Sequence, residues 1–209
     1  MVKKQRSVCL VVLGMHRSGT SALTRVLNIA GAALPTMLIG ASKGNEIGHW
    51  ESDALVRYHD VMLKGLGSSW HDWQSLDLSS LSIERRLEIK QEIANIIASE
   101  FAQAPLFVVK DPRICRFAPL FIEALNEAGI GVRTILPFRN PLEVCQSLEK
   151  RDSMKRADAA LLWVRHVLDA ERASRNLNRA FVAYNHLLDD WKSTYNKISA
   201  RTRRHVHHR

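Results

Sequence analysis

The 209-residue sequence predicts one α/β domain, a three-layer sandwich with a mostly parallel sheet and helices on both faces. Three observations lead there. "SVCLVVL", residues 7–13, is a short apolar run that ends at a glycine, as a buried parallel strand does. "GMHRSGTS", residues 14–21, follows with Gly14 and Gly19 at phosphate-loop spacing and opens a helix. Apolar runs then alternate with helical patterns to the end of the domain.

The elements follow in order. Ala22, Leu23, Val26, Leu27 and Ala30 recur at three and four, so a helix begins near Ser21 and closes at Gly31. Residues 34–80 are irregular and rich in glycine, tryptophan and histidine, the mark of a long functional or mobile loop. A second helix carries Leu87, Ile93, Ile96, Ile97 and Phe101 on one face. The strand "LFVVK", a helix from Pro119 to Ala128 stopped by Gly129, and the strand "VRTILPF" come next. Asn140 and Pro141 start the following helix as side-chain cap and first-turn proline. A long helix over Ala157–Asn176, the strand "AFVAY" and a last helix from His186 complete the order.

Composition narrows the function. A net charge of +9 and a pI near 9.8 call for an anionic partner. Part of that excess lies in "ARTRRHVHHR", residues 200–209, which lacks apolar periodicity and reads as a solvated tail. No recognition motif or basic face with interleaved aromatics is present, so nucleic acid is an unlikely partner. Cys9, Cys115 and Cys145 are unevenly spaced and read as reduced core thiols of a cytoplasmic protein. "KKQR" before the first apolar run imitates a signal peptide, but the run is short and no cleavage site follows. No segment is long enough to span a bilayer.

The loop departs from the nucleoside-triphosphate pattern at one position. Thr20 stands where a lysine would reach terminal phosphates. Backbone N–H groups and the helix N-terminus still cradle an anion, with Arg17 as the cation inside the loop. Without that lysine, phosphoryl transfer from ATP loses its usual charge compensation. Gly14, His16, Arg17, Ser18, Gly19, Thr20 and Ser21 are therefore the candidate residues of a phosphate site, with His16 weighed as structural.

"GMHRSGTSAL", "GNEIGHWES", "VVKDPRICRFAP" and "LPFRNPLEVCQSL" together resemble the sulfotransferase superfamily, most nearly its bacterial Golgi and tyrosylprotein-like type, over residues 8–191. The resemblance implies sulfuryl transfer from 3′-phosphoadenosine 5′-phosphosulfate (PAPS) to a hydroxyl or amine, for example on a glycan, without a metal. A PAPS protein needs a second anion site for the 3′-phosphate. Arg139, ending a strand, and Ser147, on the next helix, match the family's spacing for it, and their donors suit a phosphate. By the same resemblance Lys110 points at the sulfonate, with Arg113 in support. Glu51 would be the base that takes the acceptor's proton, with Glu46 in reserve where relatives carry proline. His16, His49, His59 and His71 are rival bases. Trp50, Trp70 and Trp73 could stack on an acceptor ring or simply pack.

Two other readings remain open on the sequence. Asp111 could be a magnesium ligand of a small-molecule kinase, although Lys110 beside it competes for the same pocket. The basic tail could serve a non-catalytic nucleotide or nucleic-acid binder. "FVAYNHLLDDW" still looks like the family, and beyond Trp191 the likeness fades. Many relatives continue there and complete the nucleotide or acceptor pocket. Residues 192–209 are accordingly set apart as a basic tail, truncated or disordered, and a donor half with impaired turnover stays an alternative.

Overall fold

The computed structural model describes residues 7–42, 46–102 and 104–202. Four strands, β1 (Val8–Val12), β2 (Leu106–Lys110), β3 (Gly131–Phe138) and β4 (Arg179–Ala183), form one parallel sheet in the order β2-β1-β3-β4. The alternation of side chains along β1 divides the core in two. Cys9, Val11 and Leu13 face one layer, with Ile93 and Ile97 of α3 (Ile83–Phe101) and Phe117 and Phe121 of α4 (Ile114–Glu127). Leu10 and Val12 face the other, with Leu23 and Leu27 of α1 (Thr20–Ile29). The expected sandwich with helices on both faces is what forms.

Local signals set most boundaries. Gly31 follows α1 at φ 103, a conformation open to glycine, and ends the helix. The Asn140 side chain accepts from Leu142 N–H to cap α5 (Pro141–Asp152), with the proline in its first turn. The long helix α6 covers Arg156–Ser174. All three cysteines are free and buried.

The differences have physical reasons. Residues 34–80 contain a helix, α2 (Asp53–Gly65), capped by the Ser52 hydroxyl on Leu55 N–H at 3.1 Å. Leu55, Val56, His59, Met62 and Leu63 are its buried stripe. In α3 the buried face runs through Ile89, Ile93 and Ile97, which leaves Leu87 exposed. The helix α4 begins at Ile114, five residues before Pro119, and kinks at Phe117, where the proline has no N–H to donate. After β4 come α7 (Tyr184–Asp189) and α8 (Trp191–Thr202). Residues 192–202, placed in the tail by sequence, lie in α8, and Ile198 is buried against Val182 and Leu187. Residues 203–209 of the basic stretch lie outside the described residues. No helix among the described residues is long and apolar enough to cross a membrane.

Candidate active site

All four strands deliver a polar group at their carboxyl ends, the edge where open parallel sheets bind ligands. The loop beginning at Gly14 follows β1, Lys110 ends β2, Arg139 follows β3 and Tyr184 follows β4. Gly14 is required by packing. A Cβ there would stand 2.9 Å from Pro137 Cγ of β3. Gly19 is required twice, because its φ is 83 and a Cβ would strike the Tyr184 ring, coming 2.6 Å from Cε2.

Gly19 is also the N-cap of α1, and it offers no side chain to the first turn. The N–H groups of that turn are left for a ligand, with the positive end of the helix dipole behind them. Around this opening the guanidiniums gather. Arg17, at φ 66, donates from Nε to Ser147 Oγ at 2.8 Å. Arg139 donates to the Arg17 carbonyl at 3.3 Å and lies over the Tyr184 ring at 4.8 Å. Glu143 partly balances Arg139 at 2.7 Å. Burial and the nearby cations Arg151 and Arg139 push the Arg17 guanidinium below its ordinary value, a tension that an anion would relieve. Arg17, Gly19, Thr20, Ser21, Arg139 and Tyr184 share the wall of a 480 Å³ cavity, large enough for a mononucleotide.

Behind the opening lies a buried charge cluster. The Lys110 ammonium pairs with Glu51 and donates to Ser21 Oγ at 3.3 Å, which ties it to the phosphate loop. Both side chains are almost wholly buried. Burial raises the Glu51 carboxyl and lowers Lys110, so both shifts favour a shared proton, while their mutual attraction opposes it. Arg113 reaches Glu51 at 3.9 Å and is held by Asp60 at 2.6 Å and Asp111 at 3.0 Å. Asp111 Oδ2 contacts His59 Nδ1 at 2.7 Å, and Oδ1 accepts from the Arg113 backbone. Although burial opposes its ionisation, Arg113 and His59 hold Asp111 well below the usual carboxylate range. With both oxygens engaged by Arg113 and His59, Asp111 is poorly placed to serve as a magnesium ligand.

The structure thus brings Arg17, Ser21 and Arg139 to one opening, with Ser147 joined to it through Arg17, and sets Lys110 and Glu51 next to it. Apart from Gly19, Thr20 and Glu46, which line the same cavity, the other residues fall elsewhere. The His16 ring packs edge-on to Trp70 at 5.0 Å and near His166 at 6.1 Å, and burial holds it neutral. Its side chain turns away from the opening, leaving its backbone to the loop. Ser18 Oγ is buried without a hydrogen-bond partner. Glu46 is exposed on the cavity rim. Among the rival bases, His49 contacts Ser42 at 2.7 Å, His59 is buried against Phe117, and His71 lines a separate cavity with Trp73. Sequence reasoning gave no role to Tyr184 or Arg25. An aromatic residue at a strand's carboxyl end was the available signal for Tyr184.

No protein-family model matches the chain, and none of the curated proteins does. Solved structures do. The chain is similar to the sulfotransferase domain from the Synechococcus PCC 7002 olefin synthase, with a TM-score of 0.57 and 18% identity over 96% of this chain and 74% of that one. It is similar to the sulfotransferase domain from the curacin biosynthetic pathway, with a TM-score of 0.53 and 14% identity over 95% of this chain and 74% of that one. It also resembles the sulfotransferase STF1 from Mycobacterium tuberculosis H37Rv, with a TM-score of 0.51 and 16% identity over 96% of this chain and 68% of that one. The chain therefore has the fold of sulfotransferase domains. These neighbours do not single out the Golgi and tyrosylprotein-like type.

Proposed function

We propose that this protein transfers a sulfuryl group from PAPS to a hydroxyl or amine acceptor. The observation that carries the proposal is the meeting of two anion-binding elements at one cavity. The N-terminus of α1 with Arg17 suits a 5′-phosphosulfate, and Arg139 with Ser147, tied to the loop through Arg17, suits a 3′-phosphate.

The acceptor oxygen or nitrogen attacks sulfur in line, and the S–O bond to the 5′-phosphate breaks. Adenosine 3′,5′-bisphosphate leaves with the electron pair of that bond. Glu51 takes the acceptor's proton, aided by burial that raises its affinity for one. Lys110, anchored by Ser21, stabilises charge on the sulfonate and leaving phosphate, with Arg17 and the loop amides. Glu46, on the rim, is the reserve base.

The test is release of adenosine 3′,5′-bisphosphate from PAPS in the presence of a panel of hydroxyl and amine acceptors and EDTA. Turnover that persists under chelation is expected. Turnover abolished by EDTA and restored by Mg²⁺, or Mg²⁺-dependent ATP consumption with no activity on PAPS, would contradict the proposal.

A further inference from the structure

Two short segments carry the buried charge cluster, and three contacts join them. Glu51 and Ser52 lead into α2, which presents His59 and Asp60. Lys110 ends β2 and is followed by Asp111 and Arg113. Glu51 pairs with Lys110, His59 contacts Asp111 at 2.7 Å, and Asp60 pairs with Arg113 at 2.6 Å. Only the first of these contacts enters the proposed chemistry.

His59 is fully buried, so its ring cannot meet a substrate. It lies edge-on to Phe117 at 4.7 Å and to Phe121 at 6.0 Å. A carboxylate only accepts, so Nδ1 donates to Asp111 Oδ2, and Nε2 has no hydrogen-bond partner. Burying a ring with half of its polar capacity unused is costly. Its one side-chain hydrogen bond goes to Asp111.

Through Asp111 that bond reaches Glu51. With Oδ2 taken by His59, Oδ1 accepts from the Arg113 backbone N–H and from Nη1, each at 3.0 Å. Asp60 holds the opposite edge of the guanidinium by Nε and Nη2. So clamped, Nη1 stands 3.9 Å from Glu51. That is beyond hydrogen-bond reach, and the support it gives is electrostatic and weakens with any retreat. The charged groups facing Glu51 are Lys110 from β2 and Asp111 and Arg113 from the segment after it. Burial and Asp111 oppose the ionisation of Glu51, and Lys110 and Arg113 favour it.

We propose that His59 is a positioning residue for Glu51: by fixing Asp111 it holds Arg113 where the guanidinium supports the Glu51 carboxylate. That Glu51 is a base rests on the proposed function above, whereas the coupling of the two residues does not. Without the His59 donor, Asp111 Oδ2 turns to Arg113 and draws Nη1 away from Glu51. The Asp111 charge is also less neutralised, so Glu51 takes up a proton more readily.

The test follows the Glu51 carboxyl by carbon NMR of protein labelled at its glutamate carboxyls, with Glu51→Gln identifying the signal. Wild type is titrated beside His59→Leu, which removes the donor, and His59→Asn, whose amide stands in for Nδ1–H. His59→Leu should raise the Glu51 midpoint by about one pH unit, the equivalent of one hydrogen bond to a charged group. His59→Asn should restore most of the difference. The acid limb of kcat/KM for PAPS, with an acceptor from the panel, should move in the same direction and order. Equal shifts in the two variants, or none in either, overturn the proposal and make His59 a packing residue. If His59→Leu fails to fold, Asp60→Asn, at an exposed side chain, frees the other edge of Arg113 and should lower the midpoint, and an unmoved midpoint overturns the coupling. Absence of PAPS turnover in wild type overturns the proposed function alone, because the NMR titration needs no donor.

Discussion

The outer opening and the buried cluster behind it solve opposite electrostatic problems with similar residues. At the opening Arg139 donates to the Arg17 carbonyl and pairs with the exposed Glu143, and burial with the nearby Arg151 and Arg139 lowers the Arg17 guanidinium below its ordinary value. In the interior Lys110 pairs with Glu51, and Arg113 with Asp111 and the more exposed Asp60, so each cation has a carboxylate partner within the protein. On the proposed function a ligand's negative charge joins the first arrangement, whereas the second is held by contacts within the protein. Removing a residue from the opening should therefore cost binding. In the interior it should cost turnover and stability.

The largest effects are expected in the interior. Lys110→Ala removes one partner of a buried pair and leaves Glu51 with only the more distant Arg113, at up to about 3–5 kcal/mol of stability. It should also lower kcat by about 10²–10³, by analogy with deleting one oxyanion donor. Affinity for adenosine 3′,5′-bisphosphate, which has no sulfonate, should change far less. Glu51→Gln should likewise spare nucleotide binding and abolish the base. Denaturation, steady-state kinetics and calorimetry on the same proteins check these outcomes, and near-normal turnover in both variants would reassign the chemistry.

The contrast between the regions also explains what the sequence could tell. Strand β1, its loop and α1 were legible because hydrophobic run, glycine spacing and helical stripe are all local patterns. Arg139 and Ser147 stand out in the sequence because an arginine at a strand exit and a serine on the next helix sit eight residues apart. The helix α2 was overlooked although its Ser52 cap and its stripe of Leu55, His59 and Met62 are written there. The glycines and tryptophans around it carry no helical period and mask that stripe. The His59–Asp111 contact joins residues 52 positions apart, and no local pattern carries it. Nor does sequence spacing reveal that the Arg25 guanidinium lies 4.9 Å from the centre of the Trp50 ring.

A smaller interior effect concerns pH. Burial lowers His166 to about 4 from its ordinary 6.5, and it also lowers His16. The unfolded chain binds these protons first as pH falls. The stability from keeping the rings neutral is therefore complete above pH 6.5 and drains away as pH drops toward 4. His166 alone accounts for on the order of 3 kcal/mol of that loss. Thermal unfolding between neutral and acid pH should show it, and His166→Gln should flatten the slope. An unchanged slope would mean that the ring is not held neutral.

At the opening the effects are confined to affinity. Arg139→Ala should remove most of the preference for a 3′-phosphate, because hydrogen bonds to charged groups contribute about 1.5–3 kcal/mol each. Ser147→Ala should cost less, since its hydroxyl also accepts from Arg17, which can still reach the ligand. Neither variant should lower the unfolding temperature as Lys110→Ala does. If Arg139→Ala destabilises the fold and leaves nucleotide selectivity intact, the two regions have been assigned the wrong way round.

The measurement that tests the central claim most directly is the affinity of the wild-type protein for adenosine 3′,5′-bisphosphate against AMP, by calorimetry in EDTA. These ligands differ only in the 3′-phosphate that Arg139 and Ser147 are proposed to read. The account predicts tighter binding of the bisphosphate by about tenfold or more, corresponding to at least one charged hydrogen bond. Equal affinities would contradict it.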